Sequence, residues 1–186
     1  MELILASASP RRAELLSSAG FAFRVVAAEI DETPRRGEAA GDYAMRMAHE
    51  KADAVRVRVA GAPILAADTV VIADGEILGK PADDADACRM LSLLSGSMHL
   101  VQTGVVLLSG SSVAEELCKT RVHVRQLSLE EIAWYVASGE PAGKAGAYAI
   151  QGRAARFIEC IEGSWSNVVG LPIATVHRML KEAAIT

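Results

Sequence analysis

An α/β fold built on a mixed sheet is what this sequence predicts, and two observations carry the prediction. Short apolar runs alternate with helical segments through the first half of the chain, and two long strand-like runs joined by a turn occupy the middle. A length of 186 residues suits one domain, 1–186, with a core large enough to need no staples. Hydrophobic residues make up 51% of the chain but aromatic ones only 4%, so Ala, Val, Leu and Ile must fill that core.

The elements follow in order. Leu3 to Ala6 read as a buried strand ended by small polar residues. Ser9 suits an N-cap and Pro10 the first helical position, so a short helix carries Leu15 and Leu16 inward and ends at Gly20. A strand near Phe23 to Val26 leads into AAEIDETPRRGEAAGDY, an exposed loop without a sustained period. Tyr43 to Val59 reads as a helix with Met45, Ala48, Ala52 and Val55 inward, broken by Gly61 and Pro63. Ile64 to Ala67 forms a second buried strand that ends at Asp68-Thr69. Val70–Ile72 and Ile77–Leu78 then pair across the Asp74-Gly75 turn. Ala82 to Leu94 is a helix, and Leu100–Leu108 and Val113–Val124 are the long strands, joined by SGSS. Ser128 and Glu131 form a capping box for a helix reaching Ser138-Gly139. Ala147–Ile150 and Phe157–Ile161 read as short strands, and a last helix starts near Leu171-Pro172.

Several function classes drop out. A net charge of −4 with no broad basic face argues against a nucleic-acid polymer as partner. No stretch has the length of a membrane span and no signal-like core opens the chain, so a cytoplasmic protein is expected. Cys88, Cys118 and Cys160 form no CxxC pair and read as reduced thiols. GxxxxGK[ST] and GxSxG are absent, and His49, His99, His123 and His177 are too scattered for a zinc site. His99 reads best as a hydrogen-bonded structural histidine.

The junction SASPRR, Ser7 to Arg12, is the first positive signal. A helix N-terminus offers free N–H groups and partial positive charge, and here two serines and the guanidiniums of Arg11 and Arg12 surround it. The plain alternative is a capped helix with solvated arginines. Asp68 follows a buried apolar strand and so reads as a strand-end carboxylate, where α/β sheets gather ligands, or simply as a turn residue. Glu32 lies in the exposed loop, Lys51 on the long helix where a solvated lysine is the default, and Lys80 between Gly79 and Pro81. Gln151, closing AGAYAIQG, adds an amide at another predicted strand end. Two acids, several cations and an amide suit a metal–phosphate substrate that carries a heterocycle.

In order along the chain, SASPRRAELL, DETP, EKA, AADTVV, LGKP, GSMHLVQTGV, SGEPAGKAGAYAIQG and GSWSNVVGLP resemble the motifs of the Maf family, the septum-formation-associated nucleoside triphosphate pyrophosphatases. The resemblance runs from Leu3 to about Pro172. It implies the fold shared with inosine triphosphate pyrophosphatases: an elongated mixed sheet flanked by helices, with two lobes around a central cleft. It also implies hydrolysis of a nucleotide between its α- and β-phosphates with a divalent metal, Mg²⁺ or Mn²⁺, and is compatible with a homodimer. AGAYAIQG is similar to the branch acting on dTTP and UTP; the same reaction on 7-methyl-GTP is the enzymatic alternative.

By position, Asp68 matches the proton acceptor, and Arg11, Thr69 and Gln151 match positions linked to substrate selection. Ser7, Ser9 and Arg12 fall in the phosphate loop, and Glu32, Lys51 and Lys80 match polar residues lining the cleft. Apart from the positional match, Lys144 is expected to join Lys51 and Lys80 in stabilising charge on the phosphate oxygens. Glu32 and Asp68 are the expected metal ligands. Two positions depart from the family pattern: Gly143 stands where Asp is common, and Trp165 where Tyr is usual. Gly143 is the feature that favours the rival reading, a nucleotide-binding regulator of cell division without turnover.

Overall fold

The computed structural model of the protein describes residues 2–59 and 61–185. Its elements are β1 (Leu3–Leu5), α1 (Pro10–Ser18), β2 (Phe23–Val25), α2 (Ala40–Arg56), β3 (Ile64–Ala73), β4 (Glu76–Leu78) and α3 (Asp84–Leu94). Then come β5 (Met98–Ser109), β6 (Ser112–Val124), α4 (Leu129–Val136), β7 (Ile158–Glu162), α5 (Trp165–Val169) and α6 (Ile173–Glu182). Seven strands form one sheet in the order β2-β1-β3-β5-β6-β7, with β4 paired to β3. β1 runs parallel to β2 and β3, whereas β3–β4 and β6–β7 are antiparallel, so the sheet is mixed as expected. Among the described residues no helix is long and apolar enough to cross a membrane.

The fold resolves into two compact units: Met1–Thr69 with Thr103–Cys118 and Gly170–Thr186, and Val70–Gln102 with Lys119–Val169. In the first, side-chain alternation explains why the strands read as unbroken apolar runs. Leu3, Leu5, Leu65, Ala67, Val105 and Leu107 pack with Leu16 of α1 and with Val176, Met179 and Leu180 of α6. Ile4, Ala6, Ile64, Ala66, Val106 and Leu108 pack with Ala48, Ala52 and Val55 of α2. Both faces of these strands are covered, so neither needs polar residues. Gly104 sits where β5 passes close against α2. A Cβ there would stand 2.7 Å from the Ala44 carbonyl oxygen.

In the second unit local chemistry sets most boundaries. Asp74 and Gly75 take φ of 50° and 79°, the double left-handed turn that fits a hairpin, and Val71 pairs with Leu78 as the sequence suggests. Asp83 caps α3 by accepting the Asp86 N–H at 2.8 Å. The Ser128–Glu131 capping box of α4 is present in both directions. Tyr135 and Phe157 meet edge to face at 5.5 Å inside this unit.

Four expectations are corrected. The segment Ala147–Ile150 is not a strand: Gly146 and Ala147 take φ of 69° and 58°, and the Gly146 N–H turns to the Gly79 carbonyl at 3.1 Å. β3 does not stop at Asp68-Thr69. The β-branched run Thr69 to Ile72 keeps the backbone extended, and β4 pairs with its far end, so Asp68 lies mid-strand. The Ser9 side chain makes no capping bond; instead Ser7 Oγ accepts the Ser9 N–H at 3.1 Å. α2 begins at Ala40, before Tyr43, and ends at Arg56, and its buried stripe is Ala44, Met47, Ala48, Lys51, Ala52 and Val55, with Met45 only half-buried.

Candidate active site

The alternation of β3 decides which way each polar residue faces. Ile64 and Ala66 point toward α2, so Asp68 does as well; Leu65 and Ala67 point toward α1 and α6, so Thr69 does. Two adjacent residues therefore serve two different clusters in the first unit.

On the α2 side, Lys51 occupies a position of the apolar stripe, seven residues (two turns) after Ala44. Its ammonium lies 2.6 Å from Asp68 Oδ1 and 2.7 Å from Glu32 Oε1. The Lys51 and Asp68 side chains are 9% and 13% exposed, Glu32 47%. The solvated lysine that is the helix default is thus absent here. Glu32 reaches the cluster from a stretch without helix or strand, 26–39, broken only by a turn at 36–37. The Tyr43 phenol donates to the Glu32 carbonyl oxygen at 2.7 Å. Burial, with the charges of Asp68 and Glu32 adding, pushes that phenol up to about 12, so it stays protonated as a donor.

On the α1 side, Arg12 is buried and spread over three partners. Nε donates to the Gly170 carbonyl at 2.8 Å, Nη1 to Ser7 Oγ at 3.2 Å and Nη2 to Thr69 Oγ1 at 3.1 Å. Thr69 Oγ1 also lies 3.0 Å from Thr103 Oγ1 and 3.3 Å from the Gly170 carbonyl. Gly170 presents that carbonyl at φ +127°, a backbone that favours glycine. Burial lowers the Arg12 guanidinium from its usual value, with Asp68 opposing and Arg11 adding. Arg11 is half-buried and also lowered by burial, opposed by Glu14. Ser7, Arg12 and Thr69 are thus brought together. Arg11 and Ser9 stand beside them on the first turn of α1, and the Ser9 hydroxyl does not satisfy that turn's N–H groups.

Lys80, Lys144 and Gln151 belong to the second unit. Lys80 is exposed just after β4, and Lys144, half-buried, directs Nζ to the Ala142 carbonyl at 3.4 Å. Gln151 is exposed in a turn, not at a strand end. That turn is held from both sides. Glu140 accepts the Tyr135 hydroxyl at 2.8 Å and the Arg153 N–H at 3.0 Å, while the Tyr135 oxygen accepts the Ala149 N–H at 3.1 Å. A Cβ at Gly152 would come within 2.5 Å of the Glu140 carboxylate, which accounts for the glycine after Gln151. Gly143 has φ +69° and open space around a built Cβ, so its lack of a side chain vacates no packed position. Trp165 opens α5 and is 45% exposed. His99 is buried against Tyr148, Nε2 to hydroxyl 2.8 Å, a structural histidine as expected.

Thr103, Gly170, Tyr43, Arg46 and Glu140 escape the sequence reading. A buried threonine in QTGV and an acid just before proline are weak signals, and a carbonyl such as that of Gly170 leaves none.

The carboxylates allow a test of the metal expectation. Among the described residues no group of three or more His, Cys, Asp or Glu could hold an ion. Glu32 and Asp68 nevertheless converge on one point that already carries a positive charge, and both are hard oxygen donors. Mg²⁺ and Mn²⁺ are commonly held by one or two carboxylates plus substrate phosphates, so the pair fits that mode.

The Maf-like protein family model matches residues 2–183. A dTTP/UTP pyrophosphatase of Koribacter versatilis is 50% identical over 100% of this chain and 96% of its own length. Relatives of the same name from Myxococcus xanthus and Geobacter metallireducens are 51% and 52% identical, over 98% and 96% of this chain and 93% and 94% of theirs. A match of that extent, with AADTVV supplying the strand that presents Asp68 and Thr69 to opposite sides, leaves one assignment: the chain belongs to the Maf family.

Proposed function

We propose that this chain hydrolyses dTTP and UTP to the nucleoside monophosphate and pyrophosphate. The observation that carries the reading is identity of 50–52% along nearly the whole chain to relatives named dTTP/UTP pyrophosphatase. The Lys51–Asp68–Glu32 cluster supplies groups suited to that chemistry. Water attacks the α-phosphorus, the bond from that phosphorus to the α,β-bridging oxygen breaks, and pyrophosphate leaves with the bridging oxygen. Asp68 orients the water and takes its proton. Lys51 holds Asp68 and Glu32 in place and adds positive charge where phosphate oxygens gather. Glu32 and Asp68 would hold a divalent cation, whose chemistry is to neutralise phosphate charge and polarise the phosphorus. The first turn of α1, with Ser7, Ser9 and Arg11, receives phosphate oxygens, while Arg12 fixes Ser7 and Thr69 behind it. Lys80 and Lys144 contribute charge to the leaving group, and Gln151, with Thr69, selects the base. Such an enzyme works in the cytoplasm, where nucleoside triphosphates are held, and removes unwanted nucleotides there.

Pyrophosphate release from a panel of nucleoside triphosphates with Mg²⁺ or Mn²⁺, wild type beside Asp68→Asn, tests the reading. Release from dTTP and UTP that drops by ~10²–10⁴-fold in the variant is the expected result. Near-normal turnover in Asp68→Asn removes Asp68 as the base. Activity confined to 7-methyl-GTP keeps the reaction and overturns the substrate. Nucleotide binding without release from any substrate establishes the regulator instead.

A further inference from the structure

Glu32 is the one member of the acid cluster that no helix or strand positions, yet its carboxylate stands 2.7 Å from Lys51. The surrounding stretch is secured from α2. Tyr43 donates to the Glu32 carbonyl at 2.7 Å, and Arg46 Nη2 to the next carbonyl, Thr33, at 3.2 Å. Arg46 also forks onto Glu38, 2.6 Å from one oxygen and 2.7 Å from the other, and reaches Glu50 at 3.1 Å. Its guanidinium carbon lies 5.5 Å from the centre of the Tyr43 ring, so the two side chains support each other. Glu38 in turn accepts the Arg35 N–H at 3.0 Å, which closes the far end of the stretch. The Arg46 hydrogen bonds hold the Glu38 carboxyl down to about 2, so this pair keeps its charge at neutral pH.

One helix therefore grips this stretch twice. Tyr43 and Arg46 hold the main chain of residues 32–33, and Lys51, farther along α2, holds the Glu32 carboxylate. We propose that Tyr43 and Arg46 are positioning residues that set the main chain of Glu32, so that its carboxylate is presented for the metal–nucleotide complex. The inference rests on the reading of Glu32 as a site carboxylate. It adds that α2 acts on this carboxylate beside the stretch's own turn, in which Asp31 Oδ1 accepts the Thr33 N–H at 2.9 Å. Tyr43→Phe removes one hydroxyl and leaves the ring against Arg46, so it separates positioning from packing.

The test uses the full chain in three variants, Tyr43→Phe, Arg46→Lys and Glu32→Gln. Steady-state pyrophosphate release is followed as Mn²⁺ is varied, with amide hydrogen exchange over residues 30–38 and melting temperature measured alongside. Tyr43→Phe is expected to melt as wild type does. It should need roughly fivefold more Mn²⁺ for half-maximal rate, the effect of one lost hydrogen bond, and exchange faster over 30–38. Arg46→Lys should move both readouts the same way, and stands in if Tyr43→Phe does not fold. Unchanged Mn²⁺ dependence and exchange in the folded variants, while Glu32→Gln is impaired, overturn the positioning role and leave the reading of Glu32 intact. Normal turnover in Glu32→Gln overturns that reading, and the positioning role falls with it.

Discussion

The Lys51 ammonium lies 2.6 Å from Asp68 Oδ1, a helix residue and a mid-strand residue joined where both are largely shielded from water. Breaking a shielded pair from one side strands the other charge, which costs more than the pair itself contributes. Lys51→Met leaves Asp68 and Glu32 facing each other without the ammonium. Its unfolding free energy should fall by about 3 kcal/mol. Because two hard carboxylates then lack their cation, millimolar Mn²⁺ should restore part of that loss. Urea unfolding with and without Mn²⁺ checks both, and a variant as stable as wild type in either condition contradicts the expectation.

Arg12 makes its contacts through the planar fork of the guanidinium, a shape that lysine cannot supply. Arg12→Lys keeps the charge but abandons at least one of Gly170, Ser7 and Thr69. A loss of about 2 kcal/mol is expected by chemical denaturation, together with weaker nucleotide binding. Unaltered stability with lost binding would identify Arg12 as a direct phosphate ligand rather than a support.

Gln151 stands on a turn that Glu140 and Tyr135 fix without touching its side chain through any of their bonds named above. Gln151→Ala should therefore leave the melting temperature alone. Discrimination of dTTP and UTP against purine triphosphates should narrow by about tenfold in kcat/KM, as one lost polar contact allows. Equal losses on every substrate would show that the residue serves the phosphates.

His99 gives a pH signature. Burial, with His123 adding, lowers its imidazole from 6.5 to about 4. The unfolded chain then binds more protons than the folded one between those values, so stability rises with pH across that window. Below pH 6.5 the contribution, about 3 kcal/mol in full, is progressively lost as pH falls toward 4. His99→Gln should flatten the slope of unfolding free energy between pH 4 and 6.5, measured by urea titration.

What the sequence discloses depends on how local each cause is. The Asp74-Gly75 turn and the Ser128 capping box are legible because their geometry lies within four residues. The fold of Gly146 and Ala147 is not: it answers to the Gly79 carbonyl and to Val71, both remote in sequence. Asp68-Thr69 reads as a strand end because polar residues usually interrupt apolar runs, whereas β3 continues through them since each side chain meets its own partner. Asp68, Lys51 and Glu32 are each singled out in the sequence, and the family resemblance pairs Glu32 with Asp68, but the Lys51 ammonium standing between the two carboxylates is not legible there. Lys51 looks solvated because a lysine on a helix is normally so, although Ala48, Ala52 and Val55 are buried as expected and Lys51 lies among them on the same stripe.

That stripe returns to Gly104. α2 lies so near β5 that a single added carbon would meet the Ala44 carbonyl, and Lys51 is carried on the same rigid rod two turns away. The reach of the ammonium to its carboxylates is thus governed by a hydrogen atom on a neighbouring strand. A methyl group at residue 104 would act as a shim, lifting the helix and drawing a charge out of the cluster without altering any charged residue.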